Sequence, residues 1–68
     1  MNITNNLKKI RLEVGLSQKE FAEMCEVSRQ TIHAVEVSKY TPSVELALKI
    51  AQNLELAVEE VFQLKGKK

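Results

Sequence analysis

Residues that usually carry chemistry are scarce in this chain, which has one cysteine, one histidine and no aspartate among 68 residues. A lone Cys25 excludes an internal disulfide framework, and a lone His33 excludes ordinary zinc-ligand spacing. Without a glycine-rich phosphate loop or a paired nucleophile and base, the chain is expected to be no enzyme and to need no metal or cofactor. Tryptophan is absent, and two Phe and one Tyr are the only aromatics, so the core must be aliphatic. One Pro and two Gly leave few breakpoints and no linker. The expectation is therefore one domain over residues 1–68, with Lys65–Lys68 as a frayed tail. No apolar run approaches the roughly 20 residues that cross a bilayer. The opening Met-Asn-Ile-Thr-Asn-Asn lacks the charged and apolar regions of a secretory signal. A cytoplasmic location with no membrane partner is the expectation.

Charge is nearly balanced, at +1 overall. Its distribution is not. Residues 1–41 carry a balance of +1, residues 42–64 of −3 and residues 65–68 of +3. Bulk charge therefore argues weakly against a nucleic-acid partner, and only placement on one face could supply one. A chain of this length buries about 60% of its unfolded surface, which makes a partner subunit a common need.

Apolar spacing predicts five helices. Leu7, Ile10, Arg11 and Val14 form the inner stripe of the first, which Gly15 can end from a left-handed conformation. Ser17-Gln-Lys-Glu20 reads as a capping box that opens the second. That helix turns Phe21, Met24 and Cys25 inward, with small Ala22 at the close approach to the next helix. Glu26-Val27 is too short to be anything but a tight turn, with Val27 as its apolar plug. Ser28 caps a third helix through about Glu36. Val37 to Pro42 is a loop, because proline disfavours helix at the residue before it. A fourth helix from Ser43 to Asn53 is expected to bury Val44, Ala47, Leu48 and Ala51, with Leu54 beyond. A fifth carries Val58, Val61 and Phe62 at i, i+3 and i+4. Asn2-Ile-Thr and Phe62-Gln-Leu alternate apolar and polar residues, which allows the termini to pair as short antiparallel strands.

The third helix holds the most information. At 100° per residue, Ser28, Ile32 and Val35 fall within about 60° of one another and face the core. Arg29, Gln30, His33 and Ala34 fall on the opposite side. A face shaped only by solubility would more often carry Glu/Lys pairs four apart. Arg, Gln and His instead match purine edges in a major groove: Arg pairs with guanine O6/N7 and Gln with adenine N6/N7. A small residue such as Ala34 permits close approach or contact with a thymine methyl.

These segments resemble the phage-repressor/Cro/Xre-type helix-turn-helix regulators. The resemblance rests on Gly15-Leu-Ser-Gln-Lys-Glu-Phe-Ala22, Val27-Ser-Arg-Gln-Thr-Ile32, Lys39-Tyr-Thr-Pro-Ser43 and Leu46-Ala-Leu-Lys-Ile-Ala51, and it covers nearly the whole chain. It implies a mainly α, five-helix, lambda-repressor-like fold, with residues 18–36 as the helix-turn-helix. It implies duplex DNA as partner and a role as a dimeric repressor on a palindromic site, without a small-molecule substrate. Arg29, Gln30, His33 and Ala34 would face bases; Gln18, Thr31, Lys39 and Tyr40 would lie at phosphates. Arg11 and Glu36 would form a bracing ion pair. The apolar C-terminal residues Leu56, Val61 and Leu64 are expected at a two-fold contact, with Phe62 turned inward. Three departures stand out: Glu26 where the family usually has Gly, Val37-Ser38 where it often has Asn-Gly, and Ala57 in place of a Ser cap. The alternative reading is an antitoxin-like module that uses the same fold to bind a protein.

Overall fold

A computed structural model describes residues 3–65, so Asn2 and residues 66–68 of the expected tail lie outside the described residues. The order is β1 (Ile3–Asn5), α1 (Leu7–Glu13), α2 (Gln18–Cys25), α3 (Arg29–Glu36), α4 (Val44–Leu54), α5 (Val58–Val61) and β2 (Phe62–Leu64). The expected five helices are all present. The strands pair antiparallel with Ile3 opposite Leu64, Thr4 opposite Gln63 and Asn5 opposite Phe62. Alternation puts Ile3 and Leu64 on one face of this ribbon together with Asn5 and Phe62.

Local chemistry starts α2 to α5. Ser17 Oγ accepts from the Glu20 amide at 3.0 Å, and Glu20 Oε1 accepts from the Ser17 amide at 2.9 Å, completing the capping box. Ser28 and Ser43 accept from the amides of Thr31 and Leu46, each at 3.1 Å. Ala57 has no side chain to do this, yet Glu60 Oε1 still accepts from the Ala57 amide at 2.9 Å. Half of a capping box survives there, and α5 is only four residues long.

Left-handed residues end α1 to α4 in a repeated way. Gly15, Glu26, Ser38 and Glu55 all have positive φ, between 59° and 81°. After each, the next amide reaches back to a carbonyl five residues earlier: Leu16 to Arg11, Val27 to Ala22, Lys39 to Ala34 and Leu56 to Ala51, at 2.9–3.1 Å. This pairing satisfies carbonyls that a helix end leaves open. Leu16, Val27 and Leu56 then tuck against the core. Lys39 is the exception and stays exposed.

The core is Leu7, Phe21, Ala22, Cys25, Ile32, Val35, Leu46, Ile50, Ala51 and Val61. Several expectations about facing need correction. Helix α1 stops at Glu13, so Val14 caps it and is exposed. Met24 is exposed beside buried Cys25, and Ser28 faces solvent as a cap. On α4 the expected seam is turned: Val44 is 77% and Leu48 55% exposed, while Leu46, Ile50 and Ala51 are buried. The rotation is roughly a quarter turn of helix. Helix α4 carries apolar residues on more than half of its circumference, and packing against α2 and α5 leaves Leu46, Ile50 and Ala51 on the buried side. Val61 is wholly buried within the subunit, so it offers no surface to a second copy.

Candidate nucleic-acid interface

Three residues, Glu26 to Ser28, join α2 to α3, so the two helices must cross steeply and touch. Ala22, the small residue expected at the approach, is almost fully buried. Buried Ile32 and Val35 anchor α3 from inside. Arg29, Gln30 and His33 are consequently exposed on its other side, with Ala34 half-buried among them.

Polar contacts fix how α3 is held. The C-terminal half is braced by Glu36, whose Oε2 accepts from Arg11 Nε at 2.7 Å. The Glu36 side chain is 1% exposed and the whole Arg11 residue 5%. Arg11 Nη1 also donates to the Leu16 carbonyl at 2.7 Å, tying α1 to the loop before α2. Gln18 Nε2 donates to Glu36 Oε1 at 2.9 Å and lies 3.3 Å from His33 Nδ1. Four residues from three helices thus form one chain: Arg11, Glu36, Gln18, His33. Asn5 adds a second brace, donating from Nδ2 to the Val35 carbonyl at 2.9 Å while its Oδ1 accepts from the Leu7 amide at 3.0 Å.

Glu36 is the one acid in α3, and it is withdrawn from the surface. The exposed side of α3 is therefore free of its own negative charge, with Arg29 at its start and Lys39 just past its end. Lys39 owes its position to the left-handed Ser38, which ends α3 as Gly15 ends α1. A shallow open hollow beside the helix is lined by Ser28, Gln30, Thr31, Ala34 and exposed Tyr40. Thr31 Oγ1 lies 2.9 Å from Ser28 Oγ within it.

Other charged groups stand apart. Lys49 bridges Glu26 at 3.2 Å and Glu45 at 3.6 Å, and the hydrogen bond to Glu26, with both carboxylates, raises its pKa against partial desolvation. Burial pushes the Cys25 thiol up, opposed in part by a hydrogen bond from Asn53 and by the Lys49 charge. A neutral, enclosed thiol of this kind packs rather than reacts. Among the described residues, no three His, Cys, Asp or Glu side chains gather where a metal could sit. No described helix is long and apolar enough to cross a membrane.

The structure thus joins Arg11, Glu36, Gln18 and His33 in one network and sets Gln30, Thr31, Ala34 and Tyr40 around one hollow. Leu56, Val61 and Leu64 differ in exposure: Leu56 is half-buried against the core, Val61 enclosed and Leu64 exposed. Two features escape the sequence reading. Asn5 could have been suspected as an Asx residue two places before a helix start. The inward role of Gln18 had no sequence signal, because its partners are 15 and 18 residues away.

The helix-turn-helix family pattern matches residues 7–61. The chain is 42% identical over 60 residues to YgzD of Bacillus subtilis, an uncharacterized HTH-type transcriptional regulator, covering 88% of this chain and 91% of that protein. It is 45% identical over 58 residues to the regulator MJ0272 of Methanocaldococcus jannaschii, covering 85% and 88%. Among solved structures, the restriction-modification controller protein C.AhdI of Aeromonas hydrophila superposes with a TM-score of 0.77 at 29% identity, over 81% of this chain and 83% of that one. The N-terminal DNA binding domain of SinR from Bacillus subtilis gives 0.73 at 27% identity, over 79% and 80%. With α2 and α3 joined by three residues and a matched span that runs from α1 to α5, the chain belongs to the helix-turn-helix family of transcriptional regulators, of the Xre/Cro type.

Proposed function

We propose that this regulator is a sequence-specific repressor that binds a palindromic duplex site as a homodimer in the cytoplasm and acts by occupying a promoter. The observation that carries the reading is the outer side of α3, where Arg29, Gln30 and His33 project beside small Ala34 and the helix's only acid is withdrawn. Arg29 would take guanine O6/N7, Gln30 adenine N6/N7, His33 a third base edge and Ala34 a thymine methyl. Lys39, Thr31 and Tyr40 would set register on phosphates, as would the Gln18 backbone amide, which has no intrahelical partner in the first turn of α2. No step of chemistry is involved.

Leu64 and the exposed part of Leu56 remain candidates for the two-fold contact, joined by Val44 and Leu48. A largely apolar hollow lined by Ile3, Thr41, Pro42, Val44, Ala47, Val58 and Phe62 lies at Val44. Such a dimer would set two recognition helices about 34 Å apart, one duplex turn. Selection from a random duplex pool tests the reading, and an inverted repeat among the enriched sequences is the expected result. Sedimentation velocity should give a dimer that Leu48→Glu dissociates without unfolding. Enrichment of no sequence, with a stoichiometric protein partner copurifying, would instead favour the antitoxin-like alternative.

A further inference from the structure

The Gln18–His33 contact decides more than its exposure suggests. At 3.3 Å, Gln18 Nε2 and His33 Nδ1 are two nitrogens facing each other, and one must accept. Glu36 settles which. Its carboxylate can only accept, so the Gln18 atom 2.9 Å from Oε1 is the amide NH2 and not the amide oxygen. That carboxylate is itself fixed by Arg11 at 2.7 Å, so the amide has no alternative orientation that avoids setting oxygen against oxygen. Both Gln18 N–H groups are then committed, one to Glu36 and one to His33.

We infer that Gln18 is a positioning residue that holds His33 in the Nε2–H tautomer, so that His33 presents a donor, and Gln18 an amide oxygen acceptor, on the outer side of the helix-turn-helix. This rests on the DNA-reading function proposed above and sharpens it. A donor on His33 selects base edges that accept in the major groove: guanine O6 or N7, adenine N7 or thymine O4. It disfavours an amino group such as cytosine N4. The Gln18 side chain, with no free N–H, is unsuited to a phosphate, which leaves phosphate contact there to its backbone amide. The other charged groups near His33 on its own helix are Arg29, one turn before it, and Glu36, which is occupied by Arg11.

The test uses the whole chain labelled with nitrogen-15, in mildly alkaline buffer. Long-range proton–nitrogen spectra of the single histidine should give the Nε2–H pattern. Gln18→Ala should relax this toward a mixture of tautomers. Gln18→Met, which keeps the length of the side chain and loses its donor, should relax it in the same way. In pool selection, Gln18→Ala should lower discrimination at one base pair by about fivefold, the worth of one hydrogen bond, with other positions unchanged. A wild-type spectrum of the Nδ1–H form, or one indifferent to both Gln18 variants, would overturn the inference. So would a Gln18→Ala loss spread equally over all duplexes, as a phosphate contact gives. If wild type holds the Nε2–H form yet enriches no duplex, the clamp stands and the DNA-reading function falls, taking the readout with it.

Discussion

Removing one side of the Arg11–Glu36 pair should nearly unfold this protein, whereas removing both should not. Glu36→Ala leaves Arg11, a residue 5% exposed, with only the Leu16 carbonyl and no opposite charge. Arg11→Met leaves a carboxylate 1% exposed with one donor, Gln18. Breaking a buried pair from one side costs about 3–5 kcal/mol. A chain of this size has roughly 3–10 kcal/mol in total, so either variant loses a large part of its stability. At about 4–8 °C per kcal/mol for a small domain, the melting midpoint should fall by at least roughly 12 °C. The double variant Arg11→Met/Glu36→Leu removes both charges and fills the space with apolar groups, which is often close to neutral. It should therefore lie within about 2 kcal/mol of wild type, with a coupling of about 3 kcal/mol or more. Urea unfolding followed by helical circular dichroism measures all four species, and the dependence on urea should be unchanged across them. Single variants that cost less than about 1 kcal/mol, or effects that simply add in the double variant, would refute the reasoning.

Three further outcomes are expected. Arg29→Ala should lose about 1–3 kcal/mol on the best duplex and relax preference at one base pair, whereas Lys39→Ala should weaken all duplexes alike and reduce the salt slope by about one; equal behaviour of the two variants in binding titrations would contradict their separate roles. Glu55→Gly should raise stability by about 0.5–1 kcal/mol by relieving a φ of 59°, and Glu55→Ala, which keeps a Cβ, should not; equal effects in thermal melts would show the left-handed cap to be unstrained. The Ser17 hydrogen bonds, led by that from its backbone amide, hold the Glu20 carboxyl below its ordinary value of 4.5. Its contribution to stability is therefore present above that value and fades as pH falls through the lower folded value. Glu20→Gln should flatten that part of an acid titration, and an unchanged acid limb would discount the capping box.

Legibility in the sequence followed the range of the physics involved. Caps and turns are local, so Ser17-Glu20, Ser28, Ser43 and Gly15 announced themselves, and every helix was foreseen. The outer side of α3 was readable because Ile32 and Val35 leave only one possible inward stripe. Helix α4 was not, since its apolar residues cover more than half of its circumference and only packing against α2 and α5 distinguishes Leu46–Ile50 from Val44–Leu48. The same limit hid Val61, which short-range spacing could not separate from Leu64. Polar links across helices, Gln18 to Glu36 and Asn5 to Val35, have no sequence period at all. Glu26 accepts the left-handed turn despite its side chain, with Val27 packed inward as the next residue.

The central claim is that the exposed side of α3 meets the bases. A nitrogen-15 titration of the full chain with its selected duplex tests this most directly. Shift changes and protein–base nuclear Overhauser contacts should centre on Arg29, Gln30, His33 and Ala34, with Lys39 and Tyr40 at the margin and Val44 and Leu48 unmoved. Contacts centred on Val44 and Leu48, with the α3 side chains silent, would contradict it.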